Sequence, residues 1–247
     1  MKLVKVLALA MVLMLAMGSL AMAEGMTYLV GTNPEFAPFE FVGDDGEVQG
    51  IDVDIIKAIV AKVDATGIVQ MESMAFDALI PALVSGKIDM TIAAMTITEE
   101  RKQNVLFSEP YFDATQVIVV KEGSDIQGEA DLANKKIGVQ LGTTGDLYVT
   151  DGVEGADVQR FEKALDAIQD VASGRLDAVV VDEGPASAYV GEVAGLVILA
   201  DRMSNEQYGI AMRLEDAELC GKVNEALAEL QADGTLQSII EAYQQGE

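Results

Sequence analysis

A twelve-residue pattern occurs twice in the chain, and it constrains the fold more than any other feature of the sequence. "SGKIDMTIAAMT" begins at Ser85 and "SGRLDAVVVDEG" begins at Ser173, 88 residues later. Each copy follows a helix-like stretch containing Asp-Ala, "FDALIPALV" before the first and "LDAIQDVA" before the second. Gly86 and Gly174 both suit the left-handed residue that closes a helix C-terminus. A tight turn and an apolar run of strand length follow each. One helix–turn–strand unit used twice predicts two similar α/β lobes.

The remaining segments fit that plan. "TYLVGT" (27–32) reads as a strand, followed by a Pro/Gly-punctuated loop with an acidic, hairpin-like tip at Asp44-Asp45-Gly46. "IDVDIIKAIVAKV" (51–63) reads as a helix, because Ile55, Ile56, Ile59, Val60 and Val63 recur at three- and four-residue spacing. A strand near 67–72, a helix near 75–85 and a strand at 88–94 come next. Strands separated by helices predict a parallel sheet covered on its faces.

The first 23 residues stand apart from this pattern. Lys2 and Lys5 precede a long apolar run that ends in Ala21-Met22-Ala23, which reads as a secretory signal peptide cleaved after Ala23. A retained membrane anchor is the alternative. The expected mature chain starts at Glu24 and has 224 residues, room for two modest lobes. Cys220 is the single cysteine, so no intrachain disulfide can form, and it reads as a small buried hydrophobe. The 41 acidic residues outnumber 16 basic ones, which argues against nucleic acid and for a solvated, aggregation-resistant surface. Histidine is absent, removing the usual general base and the commonest metal ligand.

The internal repeat also aligns chemistry. Counting 88 residues onward, Ala94 falls on Asp182 and Thr96 on Gly184. In open α/β sheets ligands bind beyond the carboxyl ends of the strands. Two such ends facing each other would put Thr96 and Arg101 on one wall and Asp182 on the other, a fit for a ligand carrying a carboxylate and an ammonium. Arg101 with Thr96 can grip a carboxylate, with Thr98 as N-cap of a short helix opening "EER"; the alternative is a surface arginine paired with Glu99, Glu100 or Glu109. Asp182 can pair with an ammonium or cap the helix that begins "EGPASAYV". Ala93 and Ala94 are small enough for a ligand to approach the backbone, or are ordinary strand packing.

Three further features bear on the site. "LGTTGD" (141–146) follows a strand and opens a helix, which makes a small anion cradle. It lacks the phosphate-loop lysine and the dinucleotide glycine spacing, so no nucleotide cofactor is expected. Phe36 and Phe76 are either apolar walls of a pocket or core residues. Asn33 either touches a ligand side chain or closes the turn before Pro34.

Seven segments, "GTNPEFAPFEF", "GEVQGIDVDI", "FDALIPALVSGKIDM", "TITEER", "FSEPY", "IGVQLGTTG" and "SGRLDAVVVDE", occur in that order. With them the chain resembles the periplasmic amino-acid-binding proteins of ABC importers, the family-3 solute-binding proteins. The resemblance implies a type II two-lobe clamshell, each lobe a mixed, mostly parallel sheet flanked by helices. The chain would cross between lobes near Ala114–Val119 and Asn205–Gly209, giving one lobe of 24–115 plus 207–247 and a second of 116–206. It further implies that Arg101 and Thr96, assisted by Thr144, bind an α-carboxylate, and that Asp182 and the backbone near Ala94 bind the α-ammonium. Phe36 and Phe76 would sandwich the side chain, while Asn33, Gln140 and Thr143 line the remainder.

Family members for basic amino acids often carry aspartate where this chain has Asn33. An amide donates and accepts, so a polar neutral or basic amino acid is expected. The implied protein is a monomeric periplasmic binder, not an enzyme, that needs no cofactor or metal and delivers its ligand to a membrane permease. Two alternatives use the same fold: an enzyme resembling cyclohexadienyl dehydratases, with Glu183 as general acid, and a module that reports a ligand to a receptor.

Overall fold

The computed structural model describes residues 25–244, so the leader expected over residues 1–23 lies outside the described residues. The repeated unit folds the same way twice. Helix α2 (Leu79–Val84) and helix α4 (Ala164–Ala172) each end at a serine followed by a glycine in the left-handed region, Gly86 at φ 75° and Gly174 at φ 76°. In both, the residue after the glycine donates its N–H back into the helix, Lys87 to Ala82 O at 3.0 Å and Arg175 to Asp170 O at 2.8 Å. That bond satisfies carbonyls the helix end would otherwise strand.

Each repeat then delivers the third strand of a five-stranded sheet. The first sheet has the order β5 (Ile68–Ser73), β1 (Thr27–Thr32), β6 (Met90–Thr91), β15 (Ala211–Arg213), β7 (Val105–Phe107). The second has the order β11 (Asp157–Phe161), β10 (Lys136–Gln140), β12 (Ala178–Asp182), β9 (Gln116–Lys121), β13 (Leu196–Ile198). In each, three parallel strands are followed by one that runs against them, β15 or β9, and then by an outer strand, β7 or β13, that pairs antiparallel with the reversed one and so points the same way as the first three. Each sheet is therefore mixed but mostly parallel, as expected, with one reversed strand that alternation of strands and helices alone does not predict. The reversed strands, β15 and β9, each directly follow a segment where the chain passes between sheets.

The passage is a short ribbon. Strands β8 (Phe112–Ala114) and β14 (Glu206–Tyr208) pair antiparallel, Phe112 with Tyr208 and Ala114 with Glu206. A smaller three-stranded sheet of β2 (Glu35–Phe36), β3 (Glu40–Val42) and β4 (Val48–Gln49) carries the acidic tip, where Gly46 turns at φ 84°. The strand expected over 88–94 is cut to two residues. Ile92 still donates to Gly31 O, but Ala94 adopts φ 44° and donates its N–H to the Asp52 carboxylate instead of a neighbouring strand. The helix expected at "EER" is a single 3₁₀ turn from Arg101, with Thr98 Oγ accepting the Arg101 N–H at 3.1 Å.

Helix α1 (Ile51–Val63) buries the face its spacing predicts, and it packs on α6 (Ala217–Ala232) and α7 (Thr235–Gln244). Ile55, Ile56 and Ile59 have no exposed surface. Cys220 is half-buried against the same core. Truncating Ile56, which has no exposed surface, to alanine leaves a cavity in the core. Urea unfolding should show a loss of about 2–5 kcal/mol; a loss below about 1 kcal/mol would mean that this face is not core. Among the described residues no helix is long and apolar enough to cross a membrane.

Candidate ligand-binding cleft

The carboxyl ends of the two sheets face one another across a narrow cleft lined from both sides. From the first sheet's side come Asn33, just past β1, and Phe36 on β2. Phe76 comes from a 3₁₀ turn, and Ala93, Ala94, Thr96 and Arg101 from the segment after β6. From the second side come Gln140 at the end of β10, Thr143 and Thr144 at the start of α3 (Thr144–Gly152), and Asp182 at the end of β12. The structure thus brings together all eleven residues singled out from sequence, with Glu40 as a twelfth.

Arg101 is held from both sides. One terminal nitrogen donates to Thr96 O at 2.7 Å, and the other crosses to Gly142 O at 3.1 Å. The guanidinium lies 5.3 Å from the centre of the Phe76 ring, within cation–π range. It is buried, and no acid among the described residues forms an ion pair with it; Glu99 pairs instead with Lys102. Burial pulls its pKa down, opposed by the charges of Glu206 and Asp182, yet arginine stays charged. Two of its five N–H donors are used by carbonyls, and the rest remain for an anion.

Asp182 occupies the N-cap position of α5 (Glu183–Glu192), but its side chain makes no capping bond. It accepts instead from the Tyr208 hydroxyl at 2.6 Å. Burial, then the neighbouring charge of Glu206, pushes its pKa up to about 7. An acid in that position gains most from a cation placed beside it.

Two more buried carboxyls lie behind this wall. Asp52 accepts from Ala94 N at 2.7 Å and from the Tyr111 hydroxyl at 2.9 Å, and burial pushes its pKa up to about 7. Glu40 is 1% exposed and is driven well above the carboxylate range by burial and by Asp52. Glu40 Oε2 and Asp52 Oδ1 are both buried without a partner of their own. The two carboxyls interact, Asp52 adding to burial in raising the Glu40 pKa, so a proton held on Glu40 would serve both side chains. The same Asp52 holds Ala94 at φ 44°, a conformation that alanine resists.

Asn33 and Gln140 meet across the gap. Gln140 Nε2 donates to Asn33 Oδ1 at 2.9 Å and to Glu162 O at 3.1 Å, while Asn33 Nδ2 donates to Met74 O at 2.9 Å. Both Gln140 N–H groups are thereby committed, and its carbonyl oxygen is left to accept. Thr143 caps α3, accepting from Asp146 N at 3.2 Å and donating to Gln140 O at 2.8 Å. The Thr96 and Thr144 hydroxyls both donate to Glu206 Oε2, at 2.6 and 2.8 Å.

Sequence reasoning passed over Glu40, Asp52, Glu206 and Tyr208. Asp52 left a trace, since Ile55, Ile56 and Ile59 at three, four and seven residues beyond it place it on the buried helix face. Glu40 left a weaker one, an acid flanked by Phe39 and Phe41. Glu206 left none, because the threonines it joins lie 110 and 62 residues away. Glu183, the candidate general acid, does not line the space: it pairs with Arg202 at 2.6 Å.

The model of the bacterial extracellular solute-binding proteins, family 3, matches residues 28–246. The chain belongs to that family. Among relatives of this solute-binding protein, a probable histidine-binding protein of Neisseria gonorrhoeae is 36% identical, covering 89% of this chain and 83% of its own. The L-arginine-binding protein of Pseudomonas aeruginosa is 36% identical over 87% and 86% of the two chains. Among solved structures, a mutant of ArgBP from T. maritima superposes with a TM-score of 0.84 at 45% identity, covering 88% of this chain and 94% of that one. An ancestral arginine-binding protein bound to glutamine gives 0.82 at 47% identity, covering 88% and 97%. The two-sheet clamshell is the architecture of these neighbours, and the proteins are named as binders rather than enzymes.

Proposed function

We propose that this solute-binding protein captures a free amino acid with an N–H-donating side chain, arginine first, for delivery to an ABC importer. One observation carries the reading: Arg101 and Asp182, of opposite charge, stand on opposite walls of one enclosed space. Arg101, with N–H groups at the start of α3 that lack helical partners, takes the α-carboxylate. Asp182 takes the α-ammonium. Phe36 and Phe76 flank the side chain, and the free carbonyl of Gln140 accepts from its far end. Glu40, as a neutral acid, adds no charge, so the preference for a cation comes from Asp182, Asp52 and the acceptors at the far end. The lobes of this reading are residues 24–115 with 207–247, and residues 116–206. The protein works as an exported monomer, cleaved after Ala23, beside a membrane permease.

A thermal-shift panel of arginine, lysine, histidine, glutamine, cystine and glutamate tests it. At a hundredfold excess over Kd a bound ligand adds about 2.7 kcal/mol, a shift of roughly 5–10 °C for a chain of this size. Arginine should give the largest shift, glutamine a smaller one and glutamate none. A largest shift for glutamate, or no shift with any of the six, would overturn the reading.

A further inference from the structure

Glu206 gathers four donors around one carboxylate at the start of β14, the ribbon strand that returns the chain to the first sheet. Its Oε2 accepts from Thr96 Oγ at 2.6 Å, from Thr144 Oγ at 2.8 Å and from Gln116 Nε2 at 3.5 Å. Its Oε1 accepts from Ser204 Oγ at 2.8 Å. Thr96 hangs from the first sheet, Thr144 opens a helix on the second, and Glu206 sits on the ribbon between them. A hydroxyl has a single proton to give. With both protons committed to Glu206, the two threonines turn only lone pairs to the space between the walls.

We propose that Glu206 is a positioning residue, an interlobe latch that joins Thr96 to Thr144 through one carboxylate oxygen and so holds the two walls at binding distance. The inference rests on the amino-acid reading for its effect on affinity, but not for the latch itself. It assigns the ligand's carboxylate to Arg101 and backbone N–H groups, rather than to the threonine hydroxyls. A latch of this kind acts after capture: dissociation requires the walls to part, and parting breaks a bond on one side of Oε2. Its strength depends on reach and on acceptor geometry more than on charge.

Three variants separate these properties. Glu206→Ala removes the latch. Glu206→Asp keeps the charge but shortens the side chain, so that one oxygen no longer spans both hydroxyls. Glu206→Gln keeps the reach and one acceptor oxygen but loses the charge. Stopped-flow binding of arginine should show dissociation about tenfold faster or more in the alanine and aspartate variants, with association changed less than about threefold. The glutamine variant should stay within about threefold of wild type in both rates. Small-angle scattering of the ligand-free proteins should give a larger radius of gyration for the alanine and aspartate variants than for wild type and the glutamine variant. Equal radii, a glutamine variant as impaired as the alanine one, or tighter binding on removal of Glu206 would each overturn the latch. Wild type that binds none of the six amino acids would overturn the amino-acid reading alone, since the scattering comparison needs no ligand.

Discussion

Arg101→Ala should weaken binding of the preferred amino acid by about 2–5 kcal/mol, the usual cost of deleting one partner of a buried, hydrogen-bonded charge pair. That is a factor of roughly thirty to several thousand in Kd. Arg101 is the one cation among the residues lining the space, and the bonds to Thr96 O and Gly142 O fix its plane before any ligand arrives. Little ordering entropy is then left to spend on capture. Arg101→Lys should recover little, because an ammonium cannot present two parallel N–H bonds to a carboxylate. Isothermal titration decides the matter, with circular dichroism to show that the variant folds. An unchanged Kd in a folded Arg101→Ala protein would take the residue out of the site.

Asp182→Asn should move stability and binding in opposite directions. Asp182 has its pKa raised by burial from 3.8 to about 7, so the folded protein holds that proton more tightly than the unfolded chain does. A carboxyl of this kind leaves stability intact below the unfolded pKa. It costs stability progressively as pH rises from about 4 to about 7, to a lower plateau above. An asparagine retains an oxygen for the Tyr208 hydroxyl but has no charge to desolvate. The ligand-free variant should therefore match wild type near pH 4 and exceed it by a few kcal/mol at pH 7.5, read as a higher Tm. Amino-acid binding should fall at least thirtyfold in the same variant, because the ammonium loses its counter-charge. Parallel Tm profiles from pH 4 to 8 would show that Asp182 is not the buried acid the structure makes it.

What the sequence made legible was the part written in local patterns. The three- and four-residue spacing of isoleucines marks α1, and two serine–glycine pairs mark the turns that launch β6 and β12. The repeat placed Ala94 and Asp182 at matching strand ends, and the structure puts both on the same enclosed space. It could not show that β6 would stop after Thr91, since the cause is an Asp52 carboxylate 42 residues earlier. Nor could it show whether the Asp182 side chain caps its helix. The helix start alone favours a cap; the Tyr208 hydroxyl, 26 residues on, draws the carboxylate away. Glu40 was hidden for a related reason, because a loop of Pro, Phe and acid residues reads as solvent-facing until Asp52 is seen to share its proton. Long-range polar pairing decides these points, and single-chain periodicity carries no record of it.

The two five-stranded sheets have the same strand order, and this bears on how the cleft reads direction. Two identical halves placed face to face would offer a guest the same groups from either side, and the guest could enter either way round. An amino acid has a head and a tail of opposite sign. A small apolar residue at one strand end and an acid at the corresponding end of the other half break the mirror-like equivalence at its centre. In the proposed binding mode, divergences between the matched halves, Ala94 against Asp182 and Arg101 against Tyr189, would set the orientation of the guest and with it which end of the space its side chain explores.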